Sequence, residues 1–324
     1  MSKREETILL LNDLGARRVP FLFVIDFDVN EPVVLAGEQA GKNDILYNIN
    51  GISNCSENNV RKPQVEFSKD PVPFDEYRRA FDVVRDNLNQ GNSYLLNLTF
   101  PTRIDTNLSL REIFHLSAAK YRLLFRDRFV VFSPEIFVRI RDGIISSYPM
   151  KGTIDACVED AEAKLLNDPK ELAEHTTIVD LIRNDLSSVA KQVRVEQFRY
   201  IDRIRTNQKE LLQVSSRITG ALPADYHKNI GTILLGLLPA GSVTGAPKKK
   251  TVEIIKTVEN YNRGYYTGVV GYFDGSTLDS GVMIRFIEQT DDGLVYKSGG
   301  GITVFSNAET EYQELIDKVY VPIV

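Results

Sequence analysis

The residues best suited by type and spacing to do chemistry are one lysine and two pairs of carboxylates. Lys151 lies in SYPMKGTID (Ser147 to Asp155), between an apolar segment and a Gly152-Thr153 turn. Glu171, Glu174 and His175 form ELAEH, and their i, i+3, i+4 spacing puts all three on one face of a helix. Two carboxylates so placed can hold a divalent cation, although Asp168-Pro169-Lys170-Glu171 also fits a capping box, an ordinary structural use of Glu171. Glu311 and Glu314 repeat the spacing near the C-terminus with Lys318 one turn further on, where the plain alternative is a salt-laced solvent face. Gly299, Gly300 and Gly301 precede that helix and allow close backbone approach to an anion. A nucleophilic amine facing a metal-held anionic substrate is the chemistry this set would perform, and it points to an enzyme.

A further segment, LLPAGSVTGAPKKK (Leu237 to Lys250), brings together Gly241, Ser242, Thr244 and Gly245 without Walker A spacing, so it suits a carboxylate or a phosphate. Lys248 to Lys250 reads as a solvated helix start.

The elements that must position these groups follow from hydrophobic period. VPFLFVIDFD (Val19 to Asp28) reads as a strand, and residues 50 to 64 as a polar surface loop. Phe74, Tyr77, Phe81, Val84 and Leu88 recur at helical spacing, with Pro73 before them and Gly91 after. A strand follows (Ser93 to Phe100), then a helix opened by a Ser109–Glu112 capping box. Short β segments separated by an Asp142-Gly143 turn lead as a meander to Lys151 at a sheet end. Helices are expected from about Asp160 to Val189, around 226 to 238 and 248 to 260, then strands again before a terminal helix. Strands flanking helices, joined by turns that favour antiparallel pairing, define an α+β chain read as one domain over residues 1–324.

Composition narrows the partners. The 324 residues are 43% hydrophobic and 26% charged, enough for a substantial core, and the net charge of -5 argues against a chain-wide nucleic-acid or anionic-membrane footprint. No apolar run approaches the roughly 20 residues that span a bilayer, and MSKREETILL lacks a signal-peptide pattern, so a cytoplasmic location is expected. Cys55 and Cys157 stand in unrelated contexts, and His115, His175 and His227 are widely separated. A zinc site or a Cys-His pair is therefore not expected, which leaves carboxylates as metal ligands, and these suit magnesium.

PMKGT, AEHTTIVDLIRNDL, GSVTGAPK, RGYYTGVVGY, MIRF, GGGIT and ETEYQELIDK occur in the order and approximate spacing of the chorismate-utilising enzymes. The resemblance runs from about Phe74 to Lys318; the portion before it, about 1–72, is short for the family and least recognisable. It implies a single large domain of antiparallel sheets packed face to face with helices outside. It also implies a Mg2+ ion held directly by Glu174 and Glu314, with Glu171 and Glu311 behind them through water. Arg285, Tyr266, Lys318 and the backbone at Gly299 and Gly301 would hold the substrate's carboxylates, with Ser242 as a further hydroxyl contact. Glu135, in FSPE, matches the family's general acid, and His175 is carried with it as a catalytic candidate. Gln213 stands where many relatives have His, so a neutral contact replaces an imidazolium there.

Two positions sort the family's reactions. Water-adding members carry a lysine base where this chain has Leu95, and leucine cannot activate water. Ammonia-adding members divide at Lys151: anthranilate synthases have PIAGT, aminodeoxychorismate synthases PIKGT, and this chain PMKGT resembles the latter. The implied reaction is amination of chorismate at C4, on the route to 4-aminobenzoate and folate, with Lys151 as transient nucleophile. Such an amine must be neutral, so a depressed Lys151 pKa is expected. Neither cysteine has a glutaminase context, so ammonia would arrive free or from a separate glutamine amidotransferase subunit. The competing readings are an anthranilate synthase, an isochorismate or salicylate synthase, and a non-catalytic chorismate-binding protein.

Overall fold

The computed structural model describes residues 1–37, 39, 43–55, 64–205 and 210–321. Of the polar loop expected at 50 to 64, residues 56–63 lie outside the described residues, and Ile52–Ser53 pairs as a short strand.

The described residues form two nine-stranded sheets, every pairing antiparallel. Phe21–Ile25 shows why its apolar run is continuous. Phe21, Phe23 and Ile25 enter a core shared with helices, whereas Leu22 and Val24 enter a second core facing the other sheet. Across that second core stand Tyr47, Leu123, Phe129 and Val131 of the other sheet, so the sheets pack face to face. Their outer faces carry helices: Ile178, Ile182 and Leu186 of Pro169–Ser187 on the first sheet, and Ile113 and Phe114 of Leu110–Leu116 on the second. The architecture is the expected α+β arrangement.

The helix over Phe74–Asn89 buries Tyr77, Phe81, Val84 and Leu88, the predicted stripe. They pack on Leu96, Leu98 and Phe100 of strand Leu95–Thr106 and on Leu315 of the terminal helix Ala308–Asp317. Each such burial stabilises by about 1.5–3 kcal/mol. The terminal helix, which carries Glu311 and Glu314, is thus anchored from behind.

Three local expectations change in detail. The Asp142-Gly143 turn forms with both residues at positive φ, as a two-residue hairpin requires. Beyond it, Ile144–Ser147 and Met150–Asp155 run in succession along the same neighbour, Glu210–Ala221, interrupted at Tyr148-Pro149. Lys151 therefore sits inside a strand rather than at its end, and Gly152-Thr153 is a register irregularity with Gly152 at φ +78°, not a turn. The helical stretch from Asp160 breaks at Asp168, before Pro169, into Ala161–Asn167 and Pro169–Ser187. Gly299, Gly300 and Gly301 lie within strand Gly293–Ile302 rather than in a loop, and a Cβ on Gly299 would collide with the Leu98 carbonyl oxygen.

Candidate active site

A cavity of about 530 Å3 opens among strand Met150–Asp155, helix Pro169–Ser187, strand Gly293–Ile302, the terminal helix and the segment around Ser242. Small-molecule sites run to roughly 300–1,000 Å3.

On one wall, Lys151 Nζ lies 2.7 Å from Glu174 Oε2, with the glutamate side chain 6% exposed and the lysine 25%. The Glu171 N–H donates to Asp168 Oδ1 at 3.1 Å, so the N-cap reading of that segment holds alongside any other role. A Cβ on Gly152 would lie 2.9 Å from Glu171 Oε2, which shows how closely the second carboxylate approaches the bulge next to Lys151. The opposite helix supplies Glu314, paired with Lys318 at 2.6 Å, and Lys318 Nζ donates to the Gly299 carbonyl at 2.8 Å. Glu311 is buried behind the lining, and a Cβ on Gly300 would sit 3.5 Å from Glu311 Oε2 and 3.7 Å from Glu314 Oε1. The terminal helix therefore turns Glu311 and Glu314 towards the glycine strand, with Glu311 buried and the Glu314 side chain still 42% exposed.

The charges of Glu174, Glu314 and Glu171 all act on Lys151. Burial pulls its pKa down and is the largest single influence, but the three carboxylates and the Glu174 hydrogen bond together outweigh it, and the net direction is up. The depression is expected from burial together with a bound magnesium; burial alone does not supply it, and the protein's own carboxylates push the Lys151 pKa up. Lys318 moves the other way, since burial outweighs its pairing with Glu314 and the cations Arg285 and Lys151 add to the fall.

On the facing wall, Glu135 follows strand Phe129–Ser133, and its N–H donates to Ser133 Oγ at 3.1 Å. Its carboxyl accepts a short hydrogen bond from Ser242 Oγ. Burial raises the Glu135 pKa more than Ser242, Arg285 and Lys318 lower it, so the protonated form persists above the usual carboxylate range. Ser242 occupies a single 3-10 turn, Gly241–Val243, seated by Gly245 at φ +137°. A Cβ on Gly245 would overlap the Leu95 carbonyl oxygen, so only glycine lets this segment pair with strand Leu95–Thr106.

Arg285 and Tyr266 line the cavity, Arg285 with its backbone at φ +54° and its guanidinium 5.4 Å from the Tyr320 ring. Gln213 lines it too, opposite Thr153, whose Oγ1 accepts from Gln213 Nε2 at 3.4 Å. Gly299 and Gly301 also lie on the lining. His175 is not brought there. Its Nε2 bonds Ser216 Oγ at 2.7 Å in the interior, its ring is 5.9 Å from that of Phe198, and burial with nearby Arg199 and Lys151 lowers its pKa to about 4. The lowered pKa favours the neutral imidazole, and the ring lies off the cavity lining that Lys151 and Glu135 share.

Sequence reasoning also missed contacts. Lys248, read as a solvated helix start, pairs with Asp185 at 2.8 Å and donates to the Leu237 carbonyl at 2.9 Å. The Asp of RNDL was the available signal. Asn97 and Lys297 lie on the lining without a motif to mark them.

Four glutamates from two helices are hard oxygen donors of the kind Mg2+ prefers. Among the described residues no three His, Cys, Asp or Glu side chains are drawn together as a ready-made cluster. Mg2+ needs only one or two protein carboxylates, with water or substrate completing the shell, so the donor set fits that ion.

Two antiparallel sheets and the helices packed on them frame a cavity that carries both cations and carboxylates. The sequence pattern of the chorismate binding enzymes matches residues 34–323, and the chain belongs to that family. It is 52% identical over 96% of its length to an uncharacterized PabA-like protein of Haemophilus influenzae, covering 95% of that protein. It is 34% identical over 76% of its length to aminodeoxychorismate synthase component 1 of Klebsiella aerogenes, covering 56% of that relative. Among solved structures, anthranilate synthase component I of Streptococcus pneumoniae superposes with a TM-score of 0.66 at 25% identity, over 79% of this chain and 59% of that one. The menaquinone-specific isochorismate synthase of Escherichia coli gives 0.73 at 17% identity, over 97% and 80%, a likeness of fold alone. No described helix is long and apolar enough to cross a membrane.

Proposed function

We propose that this chain aminates chorismate at C4 with ammonia, giving 4-amino-4-deoxychorismate, the reaction of an aminodeoxychorismate synthase component I. The observation that carries the reading is Lys151 on the cavity wall against Glu174, with leucine at position 95 where a water-activating lysine would otherwise stand. The 34% identity to the Klebsiella aerogenes enzyme supports it.

In this reading Glu174 and Glu314 hold Mg2+, with Glu171 and Glu311 behind them. Mg2+ held there would supply positive charge beside the substrate's ring carboxylate and would offset the carboxylate charge that raises the Lys151 pKa. Arg285, Tyr266, Lys318 and the backbone at Gly299 and Gly301 orient the carboxylates, and Ser242 and Gln213 give neutral contacts. The neutral Lys151 amine attacks C2, both ring double bonds shift by one bond, to C1=C6 and C4=C5, and the C4–O bond breaks as Glu135 delivers its proton and water leaves, while the new C2–N ammonium sheds its surplus proton to solvent. Ammonia then attacks C4, both double bonds shift back, and the C2–N bond breaks with a proton taken up by the departing Lys151 amine; the C4 ammonium loses its surplus proton, and Glu135 is reprotonated. The enolpyruvyl group stays attached. The ammonia comes free or from a separate glutamine amidotransferase, because Cys55 and Cys157 are isolated thiols far apart in sequence.

Incubation with chorismate, Mg2+ and ammonium, followed by product mass and chromatography, tests the reading. The expected product is 4-amino-4-deoxychorismate, formed only with ammonium and lost on chelation of the metal. A fluorescent, pyruvate-releasing reaction would instead make the chain an anthranilate synthase. Product formed without ammonium would indicate isochorismate or salicylate formation, and binding without turnover a non-catalytic protein.

A further inference from the structure

Outside the expected substrate contacts, a buried ion pair joins three segments that meet at the Glu135 wall. Glu259 caps the C-terminus of helix Lys248–Val258, and Arg263 lies four residues on; their side chains are 1% and 2% exposed. Every guanidinium nitrogen is engaged. Nε donates to Glu259 Oε2 at 2.8 Å, and Nη2 to Glu259 Oε1 at 2.6 Å and the Asn97 carbonyl at 2.7 Å. Nη1 donates to the Val243 carbonyl at 2.8 Å and to Thr267 Oγ1 at 3.4 Å. Glu259 Oε1 accepts in addition from the Thr99 N–H at 2.9 Å and its hydroxyl at 2.8 Å.

The residues at the ends of these bonds are neighbours of the reacting groups. Val243 follows Ser242, the hydroxyl that donates to Glu135; Thr267 follows Tyr266 and is held at φ +62°; Asn97 lines the cavity. Burying two charges costs several kcal/mol per ion, and an apolar pair of equal volume would hold helix and strand together as well or better. What an apolar pair cannot supply is a planar fan of donors reaching two carbonyls and a hydroxyl on three separate segments.

We propose that Arg263, clamped by Glu259, is a positioning residue that fixes the Ser242 hydroxyl and the Tyr266 ring beside Glu135, and through them the delivery of the proton to the leaving oxygen. The inference rests on the reading of Glu135 as the general acid.

Arg263→Lys keeps the charge but gathers the donors on one atom. In the folded variant, chorismate affinity by calorimetry should stay within about threefold, while the single-turnover rate falls about 100-fold, the scale of an angstrom-sized misplacement. The alkaline limb of the pH–rate profile should move to higher pH. Ser242 is the strongest of the groups lowering the Glu135 pKa, and Arg285 and Lys318, which also face it, would remain, as would Tyr266. Ser242→Ala should move the limb the same way, and the double variant should move it no further. A folded Arg263→Lys with wild-type rate, or with a slower rate and an unmoved limb, would overturn the proposal and leave a merely structural pair. Should that variant not fold, Glu259→Gln carries the same comparison: a limb moved upward supports the proposal and an unmoved limb refutes it. Wild-type turnover is measured first and the comparison is made on whichever product forms, so a failure to aminate chorismate counts against the proposed reaction and not against the positioning role.

Discussion

The two walls of the cavity push their titrating groups in the same direction, towards the protonated form, for opposite reasons. The Glu135 pKa is raised because burial disfavours the carboxylate more than Ser242, Arg285 and Lys318 favour it. The Lys151 pKa is raised although burial disfavours the ammonium, because the charges of Glu174, Glu314 and Glu171 act on it. In the proposed reaction the protonated form is the reactive one for Glu135 and the inert one for Lys151, so positive charge added among the Lys151 carboxylates would favour the proposed nucleophile. The proposed metal thus has a task on one wall and none on the other.

Substitutions that separate the walls test this difference. Lys151→Ala should lower single-turnover amination by roughly 10⁴-fold or more, measured by quenched product analysis, since it removes the amine that forms the proposed covalent bond. Glu135→Gln preserves shape and a hydrogen-bond acceptor but cannot deliver a proton, and should cost about 10²–10⁴-fold. In the wild-type enzyme the rate should fall as pH rises through the elevated Glu135 pKa, and in Glu135→Gln that alkaline limb should vanish. Gly152→Ala strains a residue at φ +78° and crowds Glu171 Oε2, so a thermal melt should show a loss of about 1–3 kcal/mol.

The smallest effect lies away from both walls. Burial raises the pKa of Asp274, but hydrogen bonds from Thr277 and Ser276 outweigh it and bring it to about 2. Its folded value is below its unfolded one, so its stabilisation is present above the unfolded pKa and is lost as pH falls from about 4 towards 2. Asp274→Asn should cost about 1 kcal/mol or less at pH 7, flatten that part of the acid denaturation curve, and leave amination unchanged.

The walls also differ in how far the sequence announced them. The Lys151 wall rests on local regularities: a short motif around the lysine, and two glutamate pairs at helical spacing on segments read as helices. Even there, the bulge at Gly152, the burial of Glu311 and the sign of the Lys151 shift depended on how helices from distant parts of the chain face each other. The Glu135 wall is assembled from long-range contacts. Ser242 meets Glu135 across 107 residues, and Arg263 reaches Asn97 across 166. No period or local spacing encodes such pairs, so Arg263, Asp185 and the inward role of Lys248 passed as ordinary charges. His175 shows the reverse: its place beside Glu174 in the sequence suggests a shared site, whereas its ring lies off the cavity lining and bonds Ser216.

The central claim is a covalent bond between Lys151 and the substrate, and intact-protein mass spectrometry tests it directly. Wild-type protein given chorismate and Mg2+ without ammonium, then quenched with acid, should gain the mass of one chorismate less one water, mapped to the peptide bearing Lys151 and discharged when ammonium is added. No added mass in protein that aminates chorismate, or the same adduct in Lys151→Ala, would contradict the account.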